Sequence, residues 1–182
     1  MKFDKITFKD KSGSEITLRN AQLSDAKALI DYLDRTAAET PFTAREPGEV
    51  DLSVEQEEKI IQEKNDSPKE LMLLAFDGDR HIGNCSLMSV SKMKRFAHRA
   101  SVAIALYKDY WNRGIGTVMM TNILDVARRV GYEQAELEVI STNQPAISLY
   151  ESLGFEKCGE VPHCLKYQDG TYADAWMMVK KL

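Results

Sequence analysis

The alternation of hydrophobic and polar residues becomes regular at residues 15–20, where Ile16 and Leu18 are separated by polar positions. Alternation with a period of two is typical of a half-buried β-strand. Residues 26–38 then carry apolar side chains at intervals of three and four, which predicts an amphipathic helix. The charged, turn-rich residues 1–14 precede this pattern and are not predicted to form a helix or a strand.

The remainder of the chain alternates between the two periods. Residues 39–50 contain two prolines and are predicted to form a loop. The further predicted elements are a helix at about 53–64, strands at 70–76, 81–91 and 99–107, a helix at about 114–130, a strand at 135–140, a helix at 144–153, and strands near 155–166 and at 171–180. An order of strand, two helices, three strands, helix, strand, helix and two strands predicts a mixed α/β sheet.

A glycine-containing turn between a predicted strand and a predicted helix is the first candidate for chemistry. It contains Arg113-Gly-Ile-Gly-Thr117, directly before the helix. Helix N-termini carry unpaired N–H groups and a partial positive charge, and glycines allow a phosphate to approach them closely. The lysine of a P-loop and the third glycine of a dinucleotide fingerprint are both missing. Spacing alone therefore leaves a phosphate loop and a plain tight connection as alternatives.

A second motif follows the next predicted strand. Residues 143–155 contain Asn143, Ala146, a Leu149-Tyr150 pair and Leu153-Gly-Phe155. Together with Trp111-Asn-Arg-Gly-Ile-Gly116, this motif resembles the GNAT superfamily of acetyl-CoA-dependent N-acetyltransferases. The resemblance extends to residues 16–21 near the start of the chain. Trp111 is a departure, because Gln or Arg is commonest at that position of the family.

The resemblance implies one N-acetyltransferase domain over residues 1–182. Its fold would be a mixed, mostly antiparallel central sheet flanked by helices, with a splayed cleft between the two central strands. Acetyl-CoA would be the co-substrate, and no metal is implied. By the same resemblance, main-chain groups of Ile104, Ala105 and Leu106 are expected to bind acetyl and pantetheine. Main-chain groups of Trp111, Asn112, Arg113, Gly114, Ile115, Gly116 and Thr117 are expected to bind the pyrophosphate, and for the Arg113 side chain a pyrophosphate contact and a solvated arginine are alternatives. Asn143 is expected to contact the coenzyme arm, and Ala146 is a further expected binding residue.

The resemblance also implies that Tyr150 is the general acid. Attack of a neutral amine on a thioester requires a donor for the carbonyl oxygen and a proton for the leaving thiolate. A phenol, with an ordinary pKa of about 10, can supply that proton. The alternative is a tyrosine that only packs in the core, because Tyr150 follows Ala146 and Ile147 at helical spacing.

The general base and the acceptor pocket are less defined by the sequence. Glu138, Glu39 and Glu46 are candidate bases, and for each a solvated carboxylate is the alternative. By resemblance, the loop at 39–50 lies where the family builds its acceptor pocket. The residues expected to line that pocket are Glu39, Phe42, Arg45 and Glu46.

Composition and net charge argue against several classes of function, namely nucleic-acid binding, membrane insertion and metal binding. The formal net charge of −4 argues against nucleic acid as a partner. No apolar run approaches the roughly 18 residues that a membrane span requires, and the charged N-terminus does not resemble a signal peptide. A cytoplasmic location is therefore expected. The three cysteines, with no Cys-x-x-Cys pair, predict reduced thiols rather than a metal site.

The sequence thus predicts an enzyme that transfers acetyl from acetyl-CoA to a primary amine by direct attack in a ternary complex. The acceptor would be a small-molecule amine or a peptide N-terminus. The C-terminal pattern is most like that of the family branch acting on polyamines, ribosomal-protein N-termini and small amines. A longer acyl donor, a non-catalytic acyl-CoA sensor and a nucleotide-binding module are the alternatives. A homodimer is expected from the resemblance.

Overall fold

A computed structural model describes residues 1–182, the whole chain, as one eight-stranded sheet with four α-helices. The strands are β1 (Ile6–Lys9), β2 (Glu15–Asn20), β3 (Leu71–Asp77), β4 (Arg80–Ser89), β5 (Arg99–Leu106), β6 (Gln134–Ile140), β7 (Glu156–Lys166) and β8 (Tyr172–Lys181). The helices are α1 (Ala26–Glu39), α2 (Val54–Asp66), α3 (Ile115–Arg129) and α4 (Gln144–Ser152).

The strands lie in the order β1-β2-β3-β4-β5-β6-β8-β7. Every neighbouring pair is antiparallel except β5 and β6, which are parallel. The predicted mixed, mostly antiparallel sheet is therefore confirmed. The single parallel pair requires a crossover connection, and α3 supplies it between β5 and β6.

The parallel pair separates along its length. Residues of β5 and β6 are paired only from Arg99 opposite Gln134 to Ser101 opposite Glu136, although both strands continue beyond that point. At the closed end, the guanidinium of Arg99 contacts both carboxylate oxygens of Glu136. The predicted splayed cleft between the two central strands is thus confirmed, and this ion pair lies at its base.

The N-terminal segment differs from the expectation. β1 pairs antiparallel with β2, with Thr7 opposite Thr17, and it half-buries Ile6 and Phe8. A four-residue edge strand with two apolar positions produces little periodic signal, and pairing with β2 is what stabilises it. The turn that joins the two strands folds around Asp10, whose Oδ1 accepts hydrogen bonds from the main-chain N–H groups of Ser12 and Ser14.

The core lies on both sides of the centre of the sheet. Six consecutive residues of β3 are buried, from Leu71 to Phe76, because helix α2 and helix α3 both contact this strand. Helix α3 contributes Ile115, Met119 and Ile123 at helical spacing, and all three are fully buried. None of the helices combines the length and apolar character needed to cross a membrane.

Candidate active site

A cavity of about 470 Å³ occupies the gap where β5 and β6 diverge. Its walls are the end of β5, the turn before α3, the end of β6, the start of the loop that follows α1, and one face of α4. The sequence-predicted residues that line it are Ile104, Ala105, Leu106, Trp111, Asn112, Gly114, Gly116, Thr117, Glu138, Asn143, Ala146, Tyr150 and Phe42. Two motifs and a loop that are distant in sequence thus meet at one cavity.

Hydrogen bonds at both ends of β5 establish which of its residues face β4. The N–H of Val90 donates to the carbonyl of Arg99, and the N–H of Tyr107 donates to the carbonyl of Ile82. The register between the two strands is continuous. The odd-numbered residues of β5 therefore pair with β4, and the even-numbered residues direct their main-chain groups toward β6.

Ile104 and Leu106 consequently present main-chain groups to the cavity, at the point where β6 has moved away. The Leu106 carbonyl accepts a hydrogen bond from the Trp111 indole Nε1 at 2.9 Å. Ala105 faces β4 instead, and its carbonyl accepts a hydrogen bond from the Tyr32 hydroxyl at 2.7 Å. At Leu106, the wall formed by β5 therefore offers the N–H group as a donor, while the Leu106 carbonyl is already paired with Trp111.

The turn before α3 has the backbone of an anion site. Gly114 is the N-cap of α3 with φ of 81°, and Asn112 has φ of 59°, so both residues adopt the left-handed conformation. The first-turn N–H groups that follow have no intrahelical acceptor. A Cβ on Gly116 would lie 3.3 Å from Leu149 Cδ2, so this glycine permits close approach of α3 and α4 beside the cavity.

The side chains of two of the predicted loop residues point away from the cavity, which concerns their side chains and not the main-chain groups that the prediction names. Ile115 is fully buried in the core. The Arg113 side chain turns to the β1–β2 turn, where its Nε donates to Asp10 Oδ2 at 2.5 Å and its terminal nitrogen donates to Ser12 Oγ at 2.9 Å. Burial of the Asp10 carboxylate would raise its pKa, but hydrogen bonds from Ser12 and Arg113 outweigh this and lower it. Arg113 and Asp10 therefore form a structural ion pair outside the cavity.

Asn143 caps α4 and also lines the cavity. Its side-chain oxygen accepts a hydrogen bond from the N–H of Ala146 at 3.3 Å, and Pro145 occupies the first turn. An asparagine cap of this kind satisfies an N–H group that has no partner within the helix. The cap fixes the start of α4 and hence the direction in which Tyr150 projects.

Tyr150 is 6% exposed and packs edge-to-face on Phe155, with ring centroids 5.9 Å apart. It lines the cavity, and its hydroxyl makes no hydrogen bond to another protein group. Burial raises the pKa of the Tyr150 phenol, so the hydroxyl is protonated at neutral pH. A buried phenol with a free hydroxyl at a cavity can donate a proton or a hydrogen bond to a ligand there.

Glu138 is exposed at the β6 side of the cavity. Its Oε1 accepts a hydrogen bond from the Cys164 thiol at 3.2 Å. Burial raises the pKa of the Cys164 thiol, and the adjacent carboxylate raises it further. This thiol is therefore a neutral donor to Glu138, which leaves the carboxylate free to accept a further proton or hydrogen bond.

A second cavity of about 420 Å³ lies between the loop at 39–50 and the hairpin of β7 and β8. Glu39, Arg45 and Glu46 line it, and Phe42 lines the first cavity. The Tyr167 hydroxyl donates to the Pro41 carbonyl at 3.0 Å and so joins the loop to the hairpin. The sequence-predicted acceptor residues are therefore divided between two cavities.

The carboxylate of Glu39 is already engaged on both oxygens. Oε2 accepts the main-chain N–H of Lys108 at 2.7 Å, and Oε1 accepts Arg35 Nε at 2.7 Å. Burial would raise the pKa of Glu39, but these two donors outweigh it and lower the pKa. Glu39 thus ties the end of α1 to the turn before α3.

Several residues that line the cavity are not among the residues predicted from the sequence. Ser148 and Ser152 share a face of α4 one turn apart, and they follow Pro145 by three and seven residues, so helical spacing from Pro145 is a signal that could find them. Lys11 and Thr36 also line the cavity, but they come from the β1–β2 turn and from α1. No local sequence pattern connects those two residues to the site.

No group of three or more His, Cys, Asp or Glu side chains is placed to hold a metal ion. His163, which lies between Cys158 and Cys164 in sequence, stacks on Tyr172 with ring centroids 4.4 Å apart.

Comparison with protein families gives a match over most of the chain. The model described as "Acetyltransferase (GNAT) family" matches residues 27–155. Among curated proteins, the [Ribosomal protein bS18]-alanine N-acetyltransferase of Escherichia coli (strain K12) is 34% identical over 87 residues, which is 44% of this chain and 58% of that protein. The N-alpha-acetyltransferase of Sulfurisphaera tokodaii is 37% identical over 82 residues, 44% of this chain and 47% of that protein. The chain therefore spans about half the length of the curated relatives it matches.

Solved structures resemble the whole fold. The acetyltransferase of GNAT family from Streptococcus pneumoniae has a TM-score of 0.87 and 27% identity, covering 92% of this chain and 99% of that chain. A putative acetyltransferase from Salmonella typhimurium, solved with its cofactor acetyl-CoA, has a TM-score of 0.81 and 18% identity, covering 92% of this chain and 94% of that chain. The second likeness concerns the fold alone.

Proposed function

The chain belongs to the acetyltransferase (GNAT) family, and from this premise we propose that it transfers acetyl from acetyl-CoA to a primary amine of a small molecule or peptide. The observation that carries the proposal is the cavity at the β5–β6 splay, which is lined both by the N-terminus of α3 and by Tyr150. An elongated ligand with an anionic end and a thioester end fits such a wall. We take residues 1–182 as one catalytic domain.

The residues present fit acetyl-CoA. Main-chain N–H groups at the start of α3 would hold the diphosphate, because they have no acceptor within the helix and neither Gly114 nor Gly116 adds a side chain of its own beside them. Main-chain groups of Ile104 and Leu106 would pair with the amides of the pantetheine arm, in place of the departed strand β6. When bound, acetyl-CoA supplies an activated acyl group as a thioester.

The chemistry assigned to the protein groups is proton transfer and charge stabilisation. A C–N bond forms as the C–S bond breaks, so the amine must lose a proton and the thiolate must gain one. We assign proton donation to the Tyr150 hydroxyl and proton acceptance to Glu138, directly or through water. A main-chain N–H of β5 would stabilise the oxygen of the carbonyl under attack.

The acceptor would enter from the side of the second cavity, past Phe42 and the β7–β8 hairpin. Glu46 and Glu138 carry negative charge along that route and would favour a cationic amine before it loses its proton. A peptide N-terminus is the first acceptor to test. One curated relative is a ribosomal protein alanine N-acetyltransferase, and another is an N-alpha-acetyltransferase.

The proposal is tested by measuring thiol release from acetyl-CoA with a panel of short peptides, polyamines, amino acids and aminoglycosides. Acetyl-CoA affinity is measured in parallel by calorimetry. Turnover with one acceptor class supports the proposal, whereas binding without turnover on any acceptor would favour an acyl-CoA sensor. Glu138→Gln is included to test the base, with Glu151→Gln as a control outside the cavity. Equal turnover by the two variants would remove Glu138 from the mechanism.

We also propose that the protein is a cytoplasmic homodimer, paired through the edge of its sheet. Strand β7 is an 11-residue edge strand that exposes Val161, and a long exposed edge can accept another strand. Size-exclusion chromatography with light scattering tests this directly. A monomeric mass at micromolar concentration would contradict it.

A further inference from the structure

The β1–β2 turn is docked on the turn before α3. The main-chain N–H of Lys11 donates to the carbonyl of Arg113 at 3.0 Å, and the Arg113 side chain donates in return to Asp10 and Ser12. The Asp10 side chain is fully shielded from solvent within this contact. Three hydrogen bonds thus fix residues from the start of the chain against the N-cap of α3.

This docking changes which residue supplies positive charge to the cavity. The Arg113 guanidinium is neutralised by Asp10 and does not line the cavity. Lys11 is the only lysine or arginine among the cavity-lining residues, and the one carboxylate among them, Glu138, lies on β6 at the other wall. The cationic end of the cavity is therefore formed by the helix N-terminus and Lys11 together.

The Lys11 side chain lies across the start of α3. Its Cγ, Cδ and Cε lie 3.6, 3.9 and 3.5 Å from the position that a Cβ would take on Gly114. Its ammonium group makes no ion pair and no hydrogen bond with the protein. The hydrocarbon stem thus packs on the N-cap glycine, and the ammonium group at its end has no protein partner.

We propose that Lys11 is a further ligand-binding residue of this site and that its ammonium group binds the diphosphate of coenzyme A. The inference rests on the proposed acetyl-CoA site and adds a residue that lies more than 100 positions before the glycine turn in sequence. A helix N-terminus carries only about half a unit of positive charge. The diphosphate carries two negative charges, so a lysine at the same position adds a charge-assisted hydrogen bond where the charge is needed.

The diphosphate is assigned rather than the 3′-phosphate of the adenosine because of where the lysine stem lies. The stem crosses Gly114, the residue that begins the helix turn expected to hold the diphosphate. Dephospho-coenzyme A, which lacks only the 3′-phosphate, separates the two assignments. A contact with the diphosphate contributes equally to binding of both ligands.

The experiment measures the Kd of coenzyme A and of dephospho-coenzyme A by calorimetry at a fixed salt concentration of about 0.15 M, where the Debye length is about 8 Å. The variant Lys11→Met removes the charge and keeps a hydrocarbon chain over Gly114. Lys9→Met makes the same charge change on an exposed residue of β1 that does not line the cavity. Lys11→Arg restores a cation. Circular dichroism and thermal unfolding verify that all variants are folded.

For Lys11→Met we expect Kd to rise about tenfold for both ligands, which corresponds to loss of one charge-assisted hydrogen bond. Lys9→Met should change Kd less than about twofold, since an exposed charge is largely screened at a distance, and Lys11→Arg should recover most of the affinity. An effect restricted to coenzyme A would overturn the diphosphate assignment. An unchanged Kd in Lys11→Met, or equal losses in both methionine variants, would overturn the contact itself.

Failure of the proposed function has a different signature in the same experiment. If the wild-type protein binds neither ligand, the acetyl-CoA site itself is refuted, and the role of Lys11 with it. If the wild type binds both ligands and the Lys11 variants bind them with the wild-type Kd, the acetyl-CoA site stands and Lys11 has no part in it.

Discussion

The indole nitrogen of Trp111 lies 2.9 Å from the carbonyl oxygen of Leu106 and donates a hydrogen bond to it. This carbonyl is on the side of β5 that faces the cavity, where an unpaired oxygen would repel the carbonyl and phosphate oxygens of a ligand. The bond also joins the turn before α3 to the strand that precedes it. Trp111 therefore acts as a positioning residue that pairs the Leu106 carbonyl and leaves the Leu106 N–H as the free main-chain group of that residue.

Replacement of Trp111 by Phe should weaken acetyl-CoA binding. The carbonyl of Leu106 loses its partner while the aromatic surface is mostly kept, which corresponds to about 1–2 kcal/mol or roughly a tenfold increase in Kd. Calorimetric titration with acetyl-CoA measures the change. Trp176→Phe is the matched control, because Trp176 is on β8 and does not line the cavity. Equal affinities of the two variants would show that the hydrogen bond has no role in binding.

Gly116→Val tests whether the space beside the start of α3 is used. A Cβ there would lie 3.3 Å from Leu149 Cδ2 and 3.7 and 3.8 Å from the Cδ1 atoms of Ile104 and Leu106, so a branched side chain crowds residues that line the cavity. We expect acetyl-CoA affinity to fall at least about tenfold, while folding is retained because valine is a better helix former than glycine. Gly159→Val on the edge strand is the control. Wild-type affinity in Gly116→Val would place the coenzyme elsewhere.

The ion pair between Arg99 and Glu136 should make stability depend on pH in the acidic range. The hydrogen bond from Arg99 lowers the pKa of Glu136 below its ordinary value of 4.5. A carboxylate whose pKa is lowered in the folded state contributes its full stabilisation above the ordinary pKa and loses it as the pH falls through the folded-state pKa. The ion pair should therefore stabilise the closed end of the cleft at neutral pH and lose this contribution to stability in acid.

Glu136→Gln should accordingly lower the free energy of unfolding by about 1 kcal/mol at pH 7. The difference from wild type should shrink progressively below pH 4.5. Urea unfolding at several pH values measures it, with Glu133→Gln as the control for an exposed carboxylate next to the same strand. A difference that stays constant down to pH 3 would mean that the charge of Glu136 does not stabilise the fold.

The sequence predicts those features whose cause is local. Helix α3 is visible from the spacing of Ile115, Met119 and Ile123, and β3 from its continuous apolar run. The two motifs at 111–116 and 143–155 carry the family resemblance, which the family match confirms. The order of elements then predicts the mixed sheet, and the family resemblance implies its splayed strands.

Features determined by partners distant in sequence could not be predicted in the same way. The sequence leaves the Arg113 guanidinium open between a phosphate contact and solvent, whereas the side chain pairs with Asp10, which is 103 positions away. Likewise, Tyr32 binds the carbonyl of Ala105 from 73 positions away. The phase of the β4–β5 ladder decides that the main-chain groups of Ile104 and Leu106 point to the cavity and those of Ala105 to β4, and no residue identity reveals that phase.

The role of Tyr150 is the most direct test of the account. Its hydroxyl has no protein partner, so Tyr150→Phe removes no hydrogen bond from the folded protein. The variant should therefore keep the wild-type melting temperature, and its Kd for acetyl-CoA should stay within about twofold of wild type. Loss of the general acid should lower kcat by about a hundredfold. Tyr172→Phe, on the exposed face of the final hairpin, is the control.

The decisive measurement is therefore kcat for thiol release from acetyl-CoA by Tyr150→Phe, taken beside the Kd of acetyl-CoA for the same variant. The account predicts a large fall in kcat with a nearly unchanged Kd. A wild-type kcat in this variant would contradict the proposal that Tyr150 donates the proton to the leaving thiolate.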